Sequence, residues 1–290
     1  MDARRLEYFL AVVDNGGVRR AAEALYVAQP SLSQAIRALE RDLGTDLFHR
    51  VGRRLVLTQA GEALVEPARQ VVRGLAAARA GVESVAGLDA GRVDVAAMPS
   101  QAVGPLSGMI RRFTDRHPGM SVSVRAAFTV TDVLDLVRTG VTELGLAAGP
   151  EPITATGVRL TPLGTQRFVL ITGPDGPYKG TVVRRERLAG QRLIVGQPGT
   201  GMRRLVDDIR AAGVELTAVV ETEHREAILP LVLNGVGITV LADSWAPLAR
   251  QAGARVYDLE PAAHLHLSLV TRQGDLTPPA TAFLAAALDR

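Results

Sequence analysis

Apolar positions at the start of the chain recur at helical spacing. Leu6, Phe9, Leu10 and Val13 form one such run, and Leu32, Ile36, Leu39 and Leu43 form another, in steps of four, three and four. That spacing lines one face of a helix. On the opposite face fall Pro30, Gln34, Arg37 and Arg41, flanked by Ser31 and Ser33. One side is aliphatic and suits a core. The other carries an amide, hydroxyls and guanidinium groups, which read base edges or hold phosphates. Pro30 or Ser31 suits the helix start, because proline is tolerated in the first turn and serine caps free N–H groups. Just upstream, Ala21, Ala22 and Leu25 mark a short helix, and Tyr26 to Gln29 make the turn. The pair predicts a helix-turn-helix with the second helix as reader. A polar outer face is more usually that of an ordinary surface helix, so this face alone does not establish DNA reading.

The next segment adds weight to DNA reading. Leu47-Phe48-His49-Arg50, Val51-Gly52 and Arg53-Arg54-Leu55-Val56-Leu57 read as strand, turn and strand. Arg50, Arg53 and Arg54 stand around the tip. Three arginines on a hairpin beside a reading helix form a wing, suited to backbone phosphates or a narrow minor groove.

A long helix is predicted over 59–88. Thr58 caps it, and Ala63, Leu64, Val71, Val72, Leu75, Ala78, Val82 and Val85 sit near heptad spacing. An apolar seam with no partner in its own domain asks for another helix, and a second copy of the chain supplies one. Packing of this helix on the chain's own C-terminal domain is the alternative. Pro67 is expected to kink the helix or start it afresh. Gly81, Gly87 and Gly91 mark a hinge after it.

From Gly91 onward strands alternate with helices. Strands are expected at 93–97, 121–126, 144–147, 168–171, 193–195, 218–222, 236–241 and 264–270, and helices at 104–117, 131–139, 202–212, 225–234 and 278–288. Alternation of this kind argues for parallel α/β units. Two crossings, near 159–163 and 261–267, would join two lobes around a cleft. Ligands of open α/β sheets bind beyond the carboxyl ends of strands. The loops at those ends carry Ser100 and Gln101, Thr129 and Thr131, Ala148, the run Thr200-Gly201-Met202, and Arg225. Their hydroxyls, N–H groups and the Arg225 cation point to a small anionic or carbonyl-bearing effector. Each Ser or Thr taken singly is more often an ordinary helix cap.

At this point the residues carry a family resemblance. Leu6-Glu7-Tyr8-Phe9, Arg20-Ala21-Ala22-Glu23-Ala24-Leu25, Val27-Ala28-Gln29-Pro30-Ser31-Leu32-Ser33, Ile36-Arg37-Ala38-Leu39-Glu40, Leu43-Gly44, Leu47-Phe48 and Leu57-Thr58-Gln59-Ala60-Gly61 follow in order. The segment resembles the DNA-binding domain of the LysR-type transcriptional regulators. The resemblance implies base or phosphate contacts at Gln29, Pro30, Ser31, Ser33, Gln34 and Arg37, with wing contacts at Arg50, Arg53 and Arg54. Gly91-Arg92-Val93 and Gly235-Val236-Gly237-Ile238 are similar to the family's C-terminal half, a more loosely matched stretch. It implies a two-lobed α/β effector domain like a type 2 periplasmic binding protein, with effector contacts at Ser100, at Thr129 and along Thr200 to Met202. A homotetramer, as a dimer of dimers, rests on the resemblance alone. One departure stands out: where the family usually has Ser-Phe-Thr, this chain has Gly17-Val18-Arg19. Arg19 and Arg20 thus open a helix, where positive charge opposes the dipole, and one of them is expected to meet a DNA phosphate.

The expected organisation is therefore α/β and multi-domain: a winged helix-turn-helix over 1–58, a linker and dimerisation helix over 59–88, and an effector domain over 89–290. Lobe I is expected at 91–162 and 267–290, and lobe II at 163–266. The length of 290 residues fits about two or three domains. The net charge is only +3. Within residues 1–57 nine arginines face seven acidic residues, a balance of +2. Bulk attraction to DNA is weak, so the basic groups must be concentrated on one face. Lys179 is the one lysine among 33 basic residues.

Cysteine is absent, which removes disulfides, thiolate nucleophiles and Cys-type zinc sites. No apolar run reaches the roughly 18 residues of a membrane span, and the N-terminus lacks a signal-peptide layout. Both point to the cytoplasm. Gly196-Gln197-Pro198-Gly199-Thr200-Gly201 lacks the spacing of a dinucleotide loop. His264 and His266 alternate on a strand and are more simply packed or solvated than metal-bound. No catalytic set, metal site or cofactor is expected. The expected partners are a two-fold related stretch of double-stranded promoter DNA, a small-molecule effector, RNA polymerase and further copies of the chain. The competing reading is a small-molecule binding protein or enzyme with an accessory N-terminal helix-turn-helix.

Overall fold

The protein is represented by a computed structural model that describes residues 1–51, 54–85 and 91–289, without the side chains of 54, 76, 77 and 79–85. Gly52, Arg53, the side chains of Arg54 and of the seam positions Val82 and Val85, and Gly87 of the expected hinge thus lie outside what is described, whereas Gly81 falls within a helix that runs on to Val85 and so does not mark a hinge after it. Two compact units divide the chain: residues 1–91 with 139–141, and residues 92–138 with 142–290.

The first unit opens with α1 (Ala3–Asn15), α2 (Val18–Ala24) and α3 (Gln29–Leu43). α1 starts on an Asp2 side-chain cap and ends at Gly16, whose φ of +61° closes the helix in the left-handed region. The fully buried Ala21 lets α2 lie close to its neighbours, and Leu6, Phe9, Leu32, Ile36 and Leu39 fill the core between the three helices. Each such aliphatic side chain contributes about 1.5–3 kcal/mol on burial. Two expectations shift here. α3 begins at Gln29 with Ala28 as its cap residue and no side-chain cap bond, so Ser31 caps nothing. Leu43 is exposed rather than part of the packed face, and Leu47, four residues on, takes the buried place.

β1 (Phe48–Val51) and β2 (Arg54–Leu57) pair antiparallel, with Phe48 opposite Leu57 and Val51 opposite Arg54. The Phe48 ring meets the Phe9 ring at 5.4 Å, anchoring this hairpin to α1. α4 (Gln59–Val85) follows, with the Thr58 hydroxyl accepting from the Gly61 N–H at 3.0 Å. The helix runs unbroken through Pro67, so no fresh start occurs there. Its first turns are not partnerless either. Ala60, Leu64, Val65, Ala68 and Val72 pack into the core of the helix-turn-helix. Arg69, almost buried, pairs with Asp14 of α1 at 2.5 Å. Among the described large apolar side chains of α4, Val71 and Leu75, one turn apart, are exposed.

The second unit continues with β3 (Gly91–Ala97), α5 (Pro99–Gln101), a π-helical turn at Ala102–Leu106, α6 (Ser107–Arg116), β4 (Met120–Ala126), α7 (Val130–Arg138) and β5 (Leu144–Gly149). Then come β6 (Val158–Thr172), β7 (Val182–Arg184), β8 (Arg192–Gly196), α8 (Gly201–Ala211), β9 (Thr217–Thr222) and α9 (Arg225–Leu233). The chain closes with β10 (Thr239–Ala242), α10 (Ala246–Gln251), β11 (Arg255–Glu260), β12 (His264–Arg272) and α11 (Pro278–Leu288).

The sheet is mixed rather than all parallel. β3 and β5 run parallel, as do β8 and β9, whereas β12 is antiparallel to both β5 and β6. β6 changes company along its length. Val158 to Pro162 pair with β12 beside β5, and Phe168 to Thr172 pair with β10 and β11. The first expected crossing lies within β6 and the second runs into β12, and these two long strands pair antiparallel. Their register shifts between Leu267 and Ser268, opposite a bulge that includes Gly164 at φ +115°. Pro162 and Gly164 interrupt the apolar run of β6, so its full length leaves no strand pattern in the sequence.

Candidate DNA-binding face and effector cleft

The outer face of α3 presents Gln29, Pro30, Ser31, Gln34 and Arg37 to solvent, with Ser33 half-buried beside them. Leu32, Ile36 and Leu39 hold the opposite face, so the reader candidates project from an element locked by its core. Neither Arg37 nor Arg50 takes part in a salt bridge described for the chain. Their donors are free for an external acceptor.

Arg19 and Arg20 both stand exposed at the start of α2. Arg19 lies only 3.7 Å from Glu23, and the Arg20 guanidinium donates to the Gly16 carbonyl at 2.8 Å. A concavity of about 330 Å³ gathers Arg19, Arg20, Gln29 and Arg50 with Gly16, Gly17 and Leu55. Residues far apart in sequence, from the entry of the motif, the reader helix and the wing, thus share one basic hollow. Arg53 and the Arg54 side chain lie outside the described residues.

One supporting side chain is legible in the sequence only as part of the family motif, with no role given to it there. Glu40, on the inner side of α3, accepts from the Leu47 N–H at 3.0 Å and the Phe48 N–H at 3.4 Å. It ties the reader helix to the first strand of the wing. An acid one position after a core leucine looks like any surface acid in the sequence.

In the second unit a small cavity lies among Ser100, Gln101, Ala148, Gly201, Met202 and Arg225, closed by Phe168 and Leu265. Six of the expected effector positions therefore converge. Thr129, Thr131 and Thr200 do not line it. The Thr129 hydroxyl accepts from the Asp132 N–H at 3.1 Å, while Asp132 accepts from Phe128 and Thr129. That reciprocal cap opens α7. Thr200, fully buried, caps α8 by accepting from the Arg203 N–H and donates to the Gln197 carbonyl. Thr131 is exposed at the start of α7.

Gln101 is 1% exposed; its Nε2 donates to Gln166 at 3.1 Å and its Oε1 has no partner. The Arg225 guanidinium rests against the Met202 sulfur at 3.1 Å, and burial alone lowers its pKa, with no carboxylate contributing. His264 and His266 sit on one face of β12, and no cluster of three metal-ligating side chains occurs among the described residues. No helix among them is long and apolar enough to cross a membrane.

The chain matches the family description "Bacterial regulatory helix-turn-helix protein, lysR family" over residues 3–62 and "LysR substrate binding domain" over residues 86–290. It is 28% identical to the transcriptional regulator XapR of Escherichia coli, covering 98% of this chain and 97% of that protein. It is likewise 28% identical to the transcriptional regulator TfdS of Cupriavidus pinatubonensis, covering 99% and 98%. Among solved structures, a full-length OxyR variant from Pseudomonas aeruginosa superposes with a TM-score of 0.71 at 23% identity, covering 99% of this chain and 93% of the other. Full-length CbnR in complex with its target DNA gives 0.67 at 22% identity, over 99% of both chains. Relatives along the whole length are named regulators, which sets aside a cleft enzyme with an accessory helix-turn-helix. The chain belongs to the LysR family of bacterial transcriptional regulators, DNA-binding proteins with an effector-binding domain.

Proposed function

We propose that α3 enters the major groove with Gln29, Pro30, Ser31, Ser33, Gln34 and Arg37 as its contact residues. Gln34 reads a base edge, an amide being suited to adenine. The wing arginines Arg50, Arg53 and Arg54 hold the backbone or the minor groove. The observation that carries this reading is the basic hollow, where Arg19, Arg20 and Arg50 gather around Gln29 at the start of α3. A phosphate seated there would neutralise the cations that open α2.

The domain plan that fits this reading is 1–58 for DNA binding, 59–88 for dimerisation and 89–290 for the effector. Val71 and Leu75 supply an apolar stripe for a second copy, which places two readers on half-sites about one helical turn, roughly 34–36 Å, apart. Two such dimers form the tetramer. Effector in the cleft of the C-terminal domain biases its two lobes, and so DNA bending and contact with RNA polymerase, in the cytoplasm.

Fluorescence anisotropy with the full chain and duplex from its own upstream DNA tests the reading. Arg19→Ala with Arg20→Ala, and Arg50→Ala, should each weaken binding to all sequences alike. Each should also lower the salt slope by about one for every phosphate the variant can no longer hold. Unchanged affinity and slope in both variants would remove the hollow from the interface.

A further inference from the structure

The chemistry of the effector is written in two cavities that share a wall. The inner one holds about 20 Å³, room for roughly one water-sized group and no more. An outer one of about 380 Å³ lies between an apolar wall of Ala97, Val124, Ala126 and Phe128 and the segment Glu223 to Glu226. Pro99 and Arg225 line both, so the two are contiguous. The outer volume is that of a small-molecule site. Val124 and Phe128 are among the exposed large hydrophobic residues of the chain.

One partly buried group and one buried group at this junction are unmatched. Arg225 is the first residue of α9, where a cation opposes the helix dipole, and its only described hydrogen-bond partner is a thioether. Its acidic neighbour Glu226 is engaged by His224 at 3.1 Å. A partly buried guanidinium without a counter-ion is costly, and an anion beside it removes that cost. Gln101 Oε1 is a buried acceptor without a donor, on the wall of the inner cavity. Natural proteins leave few such atoms unmatched.

Resting on the sensing role assigned to this cleft, we propose that its ligand is a small amphipathic carboxylate. The carboxylate pairs with Arg225, a hydroxyl or amino group next to it donates to Gln101 Oε1, and an apolar body lies on the wall of Val124, Ala126 and Phe128. The inner cavity admits a single small polar group, the donor to Gln101 Oε1; Arg225 lines both cavities, so the carboxylate sits at their junction and the body occupies the outer one. A plain inorganic anion meets Arg225 and leaves the wall bare. A hydrocarbon covers the wall and leaves the cation unmatched.

The chain has a single tryptophan, Trp245. Its neighbour Ser244 donates to the Ser100 carbonyl at 3.2 Å, and Ala242 lines the inner cavity, so Trp245 fluorescence reports occupancy. The full chain is titrated with phenyllactate, hydrocinnamate, hydrocinnamyl alcohol and propionate. Phenyllactate should bind tightest, with the alcohol and propionate each weaker by about tenfold or more. Arg225→Gln should abolish the preference for acid over alcohol, and Arg225→Lys should restore part of it. Gln101→Leu should erase the advantage of phenyllactate over hydrocinnamate. Alcohol binding as tightly as acid, no acid binding at millimolar concentration, or an unchanged preference in Arg225→Gln overturns the proposal. If uncharged or cationic compounds instead alter both Trp245 emission and DNA affinity, the ligand class is wrong while the sensing cleft stands. If no class of compound alters either, the sensing role itself fails.

Discussion

Glu40 offers the sharpest test of how the reader and wing are held together. Its carboxylate accepts from the Leu47 N–H at 3.0 Å and from the Phe48 N–H at 3.4 Å. A hydrogen bond to a charged acceptor contributes about 1.5–3 kcal/mol, and the longer of these two adds little. Leu47 is 1% exposed, so its N–H finds no ready water once the carboxylate is gone. Glu40→Ala should therefore cost about 2 kcal/mol of local stability, equivalent to roughly thirtyfold faster opening. Glu40→Gln keeps an acceptor oxygen without the charge and should cost about 1 kcal/mol. Native-state hydrogen exchange read at the Leu47 and Phe48 amides measures this directly. The expected order is wild type slowest, Glu40→Gln intermediate and Glu40→Ala fastest, while amides of the effector unit are unchanged. Wild-type exchange at both amides in Glu40→Ala would refute the reasoning.

Two further outcomes follow from the first unit. At Gly61 a Cβ would collide with the Leu47 carbonyl oxygen and crowd the Leu57 side chain, so Gly61→Ala should destabilise the winged helix-turn-helix by about 2–3 kcal/mol, read by urea unfolding of that unit. Val71→Glu with Leu75→Glu changes two exposed positions of α4, so helix content should survive while sedimentation velocity shifts the chain toward monomer. A double variant that stays assembled at wild-type concentration would place the dimer contact elsewhere.

The helix-turn-helix was readable because its signals are local. The spacing of Leu32, Ile36 and Leu39 is a property of one helix, and Phe48–Val51 and Arg54–Leu57 pair as strands only a few residues apart in sequence. The second unit hid more. β6 carries a proline and a glycine at its centre, and its two ends pair with strands about a hundred residues away. Long-range antiparallel pairing leaves no periodic trace once a bulge interrupts the alternation. The expectation for α4 failed in part for a different reason. Ala60 and Ala68 look like neutral helix formers, yet their small size is what lets the helix dock on its own domain. In the cleft, strand-end loops located Ser100, Gln101, Met202 and Arg225. They did not show that Gln101 is buried with a free oxygen, or that Phe128 and Val124 make an apolar wall. Those depend on what packs above each side chain, which no local pattern encodes.

The central claim is that this chain recognises DNA through the outer face of α3, used twice. Selection of bound duplexes from a randomised pool, with the full chain and with Gln34→Ala, tests it most directly. The account predicts a two-fold related motif for the wild type, with half-sites about one helical turn apart. It also predicts that Gln34→Ala relaxes preference at one position in each half-site, at a cost of about 1–3 kcal/mol there. A motif without two-fold symmetry, or one that Gln34→Ala leaves unchanged at every position, would contradict it.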